Sequence, residues 1–467
     1  MAQIISSGIG SGLDVSGLVS QLVQAERAPV ENRLNTKEIK AQSRLSAYGT
    51  LKSSLSSFQS ALTALQNSEL YQGRTSTVSN KDLFTVSAGD TASVGNYTIQ
   101  AENLASRHKL ASTAFADDDT SVGTGTLTFT ISGESFDLEI SSGSDSLSAI
   151  RDAVNDASDN VGVKASIIRD ENGSHLIFTA DETGADNAIT ISATTTGTDT
   201  GDLTQLNFDP NAIPANNPMT EQQEALDATL IIDGFTAKSA TNTFDNVIDD
   251  VSINLKDSEA GQKESLDIAL DKSAVKKAIN QFVQAYNTLR DNINTLKAYD
   301  PDTGAAGLLQ GDSATNRLSS QLRQAISDTV SGADADLDTL AEIGITTNFE
   351  NGTLKVDKDM LDSLVDERFD DFVSLFAGDN GLASRLDGLA DQYTKFEGTL
   401  DTLSNGLQGE IDRITDQRES LARRLASVEA RYLQQFNALD TLLGELNQTS
   451  SFLTSQLDNL PGFTKKD

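Results

Sequence analysis

IDRITDQRESLARRLASVEARYLQQFNALDTLLGELNQTSSFLTSQ, residues 411–456, repeats every seven residues. One heptad position reads Ile411, Arg418, Leu425, Tyr432, Leu439, Leu446, Leu453; its partner reads Ile414, Leu421, Val428, Gln435, Leu442, Thr449, Gln456. All but Arg418, Gln435, Thr449 and Gln456 are Ile, Leu, Val or Tyr. An apolar stripe sustained over that many heptads predicts a coiled coil. The polar exceptions are placed to set register or partner choice. A striped helix alone carries an unburied face, so a second stripe is needed to cover it.

The other end of the chain supplies one. Ser16 is expected to cap a short helix over Leu18, Leu22 and Ala25 that stops at Pro29. A second helix is expected over about 30–70. From Ala41 its apolar positions, Leu45, Tyr48, Leu51, Leu55, Phe58, Leu62 and Leu65, step by three or four. The simplest solution pairs the two ends.

Between them the period changes. Phe84 and Val86, then Tyr97 and Ile99, alternate with polar residues as in half-buried strands. The segments 126–140, 163–180 and 187–192 continue that alternation. Asn172-Gly173 and Asp233-Gly234 predict hairpin turns, as does Asn351-Gly352 further on. Ser146 opens a short helix. Residues 194–222 hold half of the six prolines and predict a linker or long loop. Helices return over about 273–298, 313–331 and 358–376.

The expected fold is therefore α+β and multidomain. The terminal helices pair as a coiled-coil or helical-bundle leg, with β-rich domains inserted in the middle. The expected division is a flexible or helical leg (1–33), a first bundle part with strands (34–108), a β-rich domain (109–194), a linker (195–222), a second β-rich unit (223–272), a second bundle part (273–404) and a C-terminal coiled-coil leg (405–467).

Net charge is −34, and residues 74–404 carry −33 of it. Such a chain lacks the basic footprint that nucleic acid requires. No apolar run approaches the length of a membrane span, so no membrane insertion is expected. The opening MAQIISSGIGSG lacks the basic start and apolar run of a cleaved signal. Any exit from the cell is expected to use a route that reads none. There is no cysteine, which removes disulfides and thiolate metal sites.

Catalytic chemistry has little to work with. His108 and His175 stand in polar surroundings and are expected at the surface. No G-x-S-x-G elbow occurs. GIGSG at 8–12 has Leu13 where the dinucleotide fingerprint needs glycine. Asp334, Asp336 and Asp338 have the first spacing of a calcium loop. Thr339 and Ile345 then occupy its glycine and glutamate positions, so the match fails. Asp117-Asp118-Asp119 is expected to be a solvated loop. No catalytic residue, metal or cofactor is expected.

Six stretches carry a family resemblance. SSGIGSGLDVSGLVSQLVQAERAP at the start, with Gly10, Ser11, Gly12, Leu13 and Asp14 at its centre, resembles the opening of the flagellar hook-associated protein 2 family. LSAYGTLKSSLSSF (45–58) and ARYLQQFNALDTLLGELNQTSSFLTSQL (430–457) are similar to its next helix and its closing coil. The middle helix AINQFVQAYNTLRDNINTL (278–296), LLQGDS and LAEIGITT are also similar to family segments. The resemblance is weakest across 110–220.

That resemblance implies a cap on the flagellar filament: a ring-like homo-oligomer, commonly of five subunits, at the growing tip. It implies contact with flagellin and with hook–filament junction proteins. It implies export through the flagellar type III apparatus, with a chaperone on the C-terminal helix beforehand. Another axial subunit or a secreted coiled-coil adhesin remains the alternative.

Overall fold

The first helix, α1, runs Val15–Gln66. Asp14 caps it, accepting the Gly17 N–H and the Ser16 hydroxyl at 2.8 Å each. Two helices divided at Pro29 were expected, yet Pro29 lies inside one continuous helix. The ring removes one backbone N–H and so one bond to the preceding turn. Burial on both sides of it, at Val15 and Val19 and again from Leu34 onward, offsets that loss, although residues 24–29 are themselves exposed. This computed structural model describes residues 12, 14–196, 201–378 and 380–458.

Residues Glu69–Lys272 form one of two compact units; Met1–Ser68 with Ser273–Asp467 form the other. The boundary falls at 68/69, so the strands expected to join the helical bundle within 34–108 belong to the β unit. Its first elements are α2 (Glu69–Gln72), β1 (Arg74–Val78), β2 (Phe84–Ala88), β3 (Gly95–Asn103) and β4 (Arg107–Ala111). Then come β5 (Gly125–Ile131), β6 (Glu134–Ile140), α3 (Leu147–Asp156), β7 (Val163–Asp170), β8 (Gly173–Thr183), β9 (Thr190–Thr195) and β10 (Thr220–Gln223). The last are β11 (Ala228–Ile232), β12 (Phe235–Ser239), β13 (Thr243–Ile248), β14 (Val251–Leu255) and β15 (Glu264–Leu270).

Two hydrophobic cores hold this unit. The sheets β1-β15-β3-β11-β12 and β13-β14-β2 enclose one, around Phe84, Ile99, Leu230, Ile253 and Leu266. The sheets β10-β4-β8-β7 and β6-β5-β9, with α3, enclose the other, around Phe129, Ile150 and Phe178. Ser146 caps α3 as expected, accepting the Ala149 N–H. Asp233 and Gly234 both take positive φ between paired Ile232 and Phe235, a primed hairpin turn. At the other hairpin Asp170 pairs with Gly173, so the turn is Glu171-Asn172, one residue earlier than expected.

The expected linker is instead part of the second core. Leu203, Leu206, Phe208 and Met219 are buried there, and β10 pairs with β4. Proline marks irregular backbone, which is a different property from exposure. Residues 197–200 lie outside the described set.

His108 is also buried, not surface-placed. The Ile189 N–H donates to its Nδ1 at 2.9 Å, and its Nε2 meets Glu221 Oε1 at 2.9 Å. The Ile189 bond leaves Nδ1 unprotonated, so Nε2 carries the hydrogen and donates to Glu221. Burial holds the imidazole below its ordinary pKa, against the pull of Glu221 and Glu224. His175 is half-buried, with Nδ1 2.9 Å from the Ser112 carbonyl.

The helical unit continues with α4 (Lys272–Lys297), α5 (Ser313–Ser327), β16 (Ile345–Thr347) and β17 (Leu354–Val356), which pair, then α6 (Lys358–Glu367) and α7 (Phe369–Phe376). The single helix expected over 358–376 breaks at Arg368, which bonds Asp371 and Asp334. It ends with α8 (Leu382–Thr394) and α9 (Thr399–Asp458), which crosses the expected 404/405 boundary unbroken. Aromatic rings centre this core. Phe58 lies 5.8 Å from Phe282 and 5.9 Å from Tyr286, and Phe282 lies 6.2 Å from Phe376.

Asp312 ties α1 to the α5 N-terminus. It caps α5 through the Thr315 N–H at 2.9 Å and accepts from the Tyr48 hydroxyl at 2.6 Å and Arg44 at 3.2 Å. Burial pushes the Asp312 carboxyl up, but these donors outweigh it and hold the pKa low. Burial and the adjacent Asp312 carboxylate push Tyr48 up to about 12.

Candidate functional site

The two terminal helices pack together antiparallel, as the paired stripes predict. Lys52 meets Asp401 at 3.6 Å, Arg418 meets Glu38 at 2.5 Å, and the Tyr432 hydroxyl donates to Glu26 at 2.9 Å. As the α1 number falls, the α9 number rises. Arg418 also donates to Asn35 at 2.5 Å. The Tyr432 phenol is held above its usual pKa by its bond to the Glu26 carboxylate.

On α1 the stripe residues Tyr48, Leu55, Phe58 and Leu62 are buried, and Leu45 is half-buried. On α9, Ile414, Leu421, Leu425 and Val428 are buried, while Ile411 and Tyr432 are half-buried. Leu439, Leu442, Leu446 and Leu453 are exposed, Leu439 at 44% and Leu446 at 56%. Burial of all of them within a heptad seam was the expectation, and for these four the single chain does not provide it. Coverage along α9 instead runs in steps of eleven: Ile414, Leu425, Phe436, and likewise Leu421, Tyr432, Leu443. An α-helix that is not supercoiled falls about 20° behind per heptad, whereas a step of eleven runs ahead by about the same angle over a longer span, so mixing the two keeps a face in place. Later heptad leucines therefore rotate out of the seam.

The helix also outruns its partner. After Tyr432, α9 continues to Asp458, whereas α1 reaches back only from Glu26 to Val15. About 15 residues of α9, on the order of 22 Å, have no α1 residue opposite among the described residues. Residues 445–458 are all exposed. Leu446, Leu453 and Leu457 on this overhang share about a 60° arc with Leu439 and Leu442. The stripe is an apolar helix face that the described chain leaves uncovered.

Comparison with known proteins matches this architecture at both ends. Residues 11–108 match the flagellar hook-associated protein 2 N-terminus and residues 225–448 the flagellar hook-associated protein 2 C-terminus. Residues 126–182, within the second core, match the flagellin hook IN motif. The B-type flagellar hook-associated protein 2 of Pseudomonas aeruginosa is 34% identical over 469 residues, covering 98% of each chain.

The chain belongs to the flagellar hook-associated protein 2 family.

A family member from Escherichia coli is 33% identical, covering 98% of this chain and 99% of that one. The crystal structure of the flagellar cap protein FliD D1-D2-D3 domains from Escherichia coli is similar at a TM-score of 0.56 and 33% identity. It covers 78% of this chain and 99% of that chain.

Within the family motif, Asp14 is the α1 cap and Gly12 takes φ +75°, a left-handed conformation that suits glycine. Gly10, Ser11 and Leu13 lie outside the described residues. Among the described residues no three His, Asp or Glu side chains cluster as a metal site. Sequence reasoning missed Asp312 and the α1 partners of Arg418 and Tyr432. Asp312 precedes Ser-Ala-Thr where an apolar stripe begins, which is a cap pattern. Glu26, Asn35 and Glu38 carried no comparable mark.

Proposed function

We propose that this chain caps the distal end of the bacterial flagellar filament. There it promotes flagellin polymerisation and prevents the loss of unpolymerised flagellin. The role is structural, with no catalytic step. The observation that carries it is the bare apolar stripe at the end of α9, in a chain whose relatives include flagellar cap proteins. A stripe left uncovered by its own chain suits a protein that completes its fold in an assembly.

The chain acts as a ring-like homo-oligomer, of five copies on the family pattern. Its β unit, with 34 Asp and Glu against 11 Lys and Arg in 69–272, presents an acidic exterior. Its helices face the filament, with flagellin and the hook–filament junction proteins as partners. An export chaperone holds the α9 stripe before the chain leaves through the flagellar type III apparatus, since such a surface needs cover during transit.

Electron microscopy of filament tips tests this. A strain lacking the gene should show short or absent filaments and flagellin in the medium, both reversed by the intact gene. Full-length, normally tipped filaments in that strain would refute the proposal.

A further inference from the structure

Like charges are rarely stacked along one helix face without an answer, because pairs four residues apart repel. On α1, Arg33, Lys37 and Lys40 do stack, at spacings of four and three, and all are exposed. None of the three has an ion pair or hydrogen bond among the described residues, although Asp and Glu outnumber Lys and Arg by 69 to 35 in the chain. The next cation on that face, Arg44, is already paired with Asp312.

The β unit carries a feature of the opposite kind. At one end of its first core a hollow of about 430 Å³ is lined by Tyr97, Phe235 and Val247 and rimmed by Asp233 and Asp249. Phe235 is 81% exposed. The rim is rigid: Asp233 accepts the Thr98 N–H at 2.8 Å and donates its own N–H to the Thr98 carbonyl at 2.9 Å. Long basic side chains suit such a place. Their methylene stems cover apolar surface while their heads reach carboxylates, and a cation over a phenyl face is attracted to it.

We propose that the Arg33–Lys37–Lys40 ridge of one copy docks on the Phe235 hollow of a second copy. The two surfaces differ, so the contact is head-to-tail and propagates around a ring instead of closing a pair. The inference rests on the self-assembly proposed above and names its surfaces. Charge complementarity selects the occupant, because the β unit that bears the hollow is the most acidic part of this same chain.

The chain has no cysteine, so a cross-link can be read directly. Full-length Lys40→Cys and full-length Asp249→Cys are mixed at low salt and oxidised. The expected product is the mixed disulfide, several-fold above either same-variant disulfide. Lys37→Glu on the first chain, or Phe235→Ser on the second, should lower its yield several-fold without changing either chain's melting temperature, and Lys37→Arg should keep it. A statistical mixture of disulfides overturns the contact. So does loss of the cross-link on adding equimolar flagellin monomer, which would assign the ridge to flagellin. If the mixed disulfide forms normally but a strain carrying the intact gene shows no capped filaments, the capping proposal fails and this contact stands.

Discussion

At the residue scale, His108 shows how one hydrogen bond fixes a protonation state. Its Nδ1 must stay bare to accept from Ile189, so a second proton would set two donors against each other. The folded pKa is depressed, which determines the sign. Above the ordinary imidazole value of about 6.5 both folded and unfolded chains hold His108 neutral. As pH falls below that value the unfolded chain takes up a proton that the folded chain refuses. Stability of the β unit should therefore fall from pH 7.5 towards pH 5. Melts of the full chain across that range check it. His108→Leu leaves the Ile189 N–H unpaired and should cost about 1–3 kcal/mol at pH 7.5. It should also flatten the acid slope. An unchanged slope in the variant would assign the pH dependence to other groups. The burial of His108 was legible in principle. In Arg107-His108-Lys109-Leu110, period two places His108 on the side of buried Leu110 and the two cations on the other. Residue type outweighed phase, and the type misled.

At the element scale, one stripe on α9 is covered at one end and bare at the other. Leu421 is buried against the rest of its chain, whereas Leu439 is nearly half exposed. Leu421→Asp should forfeit about 1.5–3 kcal/mol of burial and place a carboxylate in an apolar seam, lowering the melting temperature of the purified chain. Leu439→Asp should leave that temperature unchanged. Secreted from a flagellated strain, it should still give short filaments and flagellin in the medium. Glu429→Gln, off the stripe, should match wild type in both assays. Filaments of normal length with Leu439→Asp would remove the α9 stripe from the assembly mechanism. Both long helices were legible because their stripes persist over many turns, and local noise averages out. Pro29 misplaced a boundary because the helix-breaking rule is local, whereas α1 is anchored by packing on both sides of it, at Val19 and at Leu34. The heptad reading of Leu439 went astray more subtly. Seven and eleven residues agree over two turns and diverge only over several heptads, and only the packed helix shows which period governs burial.

At the scale of the whole molecule, two compact units divide the work between a helical body with long ends and an acidic β body with two cores. The β body lies between two halves of the helical one in sequence, a layout that charge and period both announced. The fate of residues 201–222 was not announced, because burial of Leu203, Leu206 and Phe208 depends on sheets distant in sequence. The same division predicts where the free subunit is open to attack. A protease needs an unfolded stretch of chain, and a helix without packing on either side supplies one by fraying. Residues 445–458 are exposed throughout, whereas the α9 segment containing Leu421, Leu425 and Val428 is covered. Chymotrypsin under native conditions should therefore cut the free chain first within the overhang, near Phe452, Leu453 or Leu457. The remainder, including the β unit, should survive. In assembled caps the same bonds should resist, because the proposed function has assembly cover that stripe. Mass spectrometry of the early fragments reads both states. First cuts inside the β unit would show that the free overhang is not the most open part of the subunit, and equal cutting of the overhang in subunit and cap would show that the end of α9 gains no cover in the assembly.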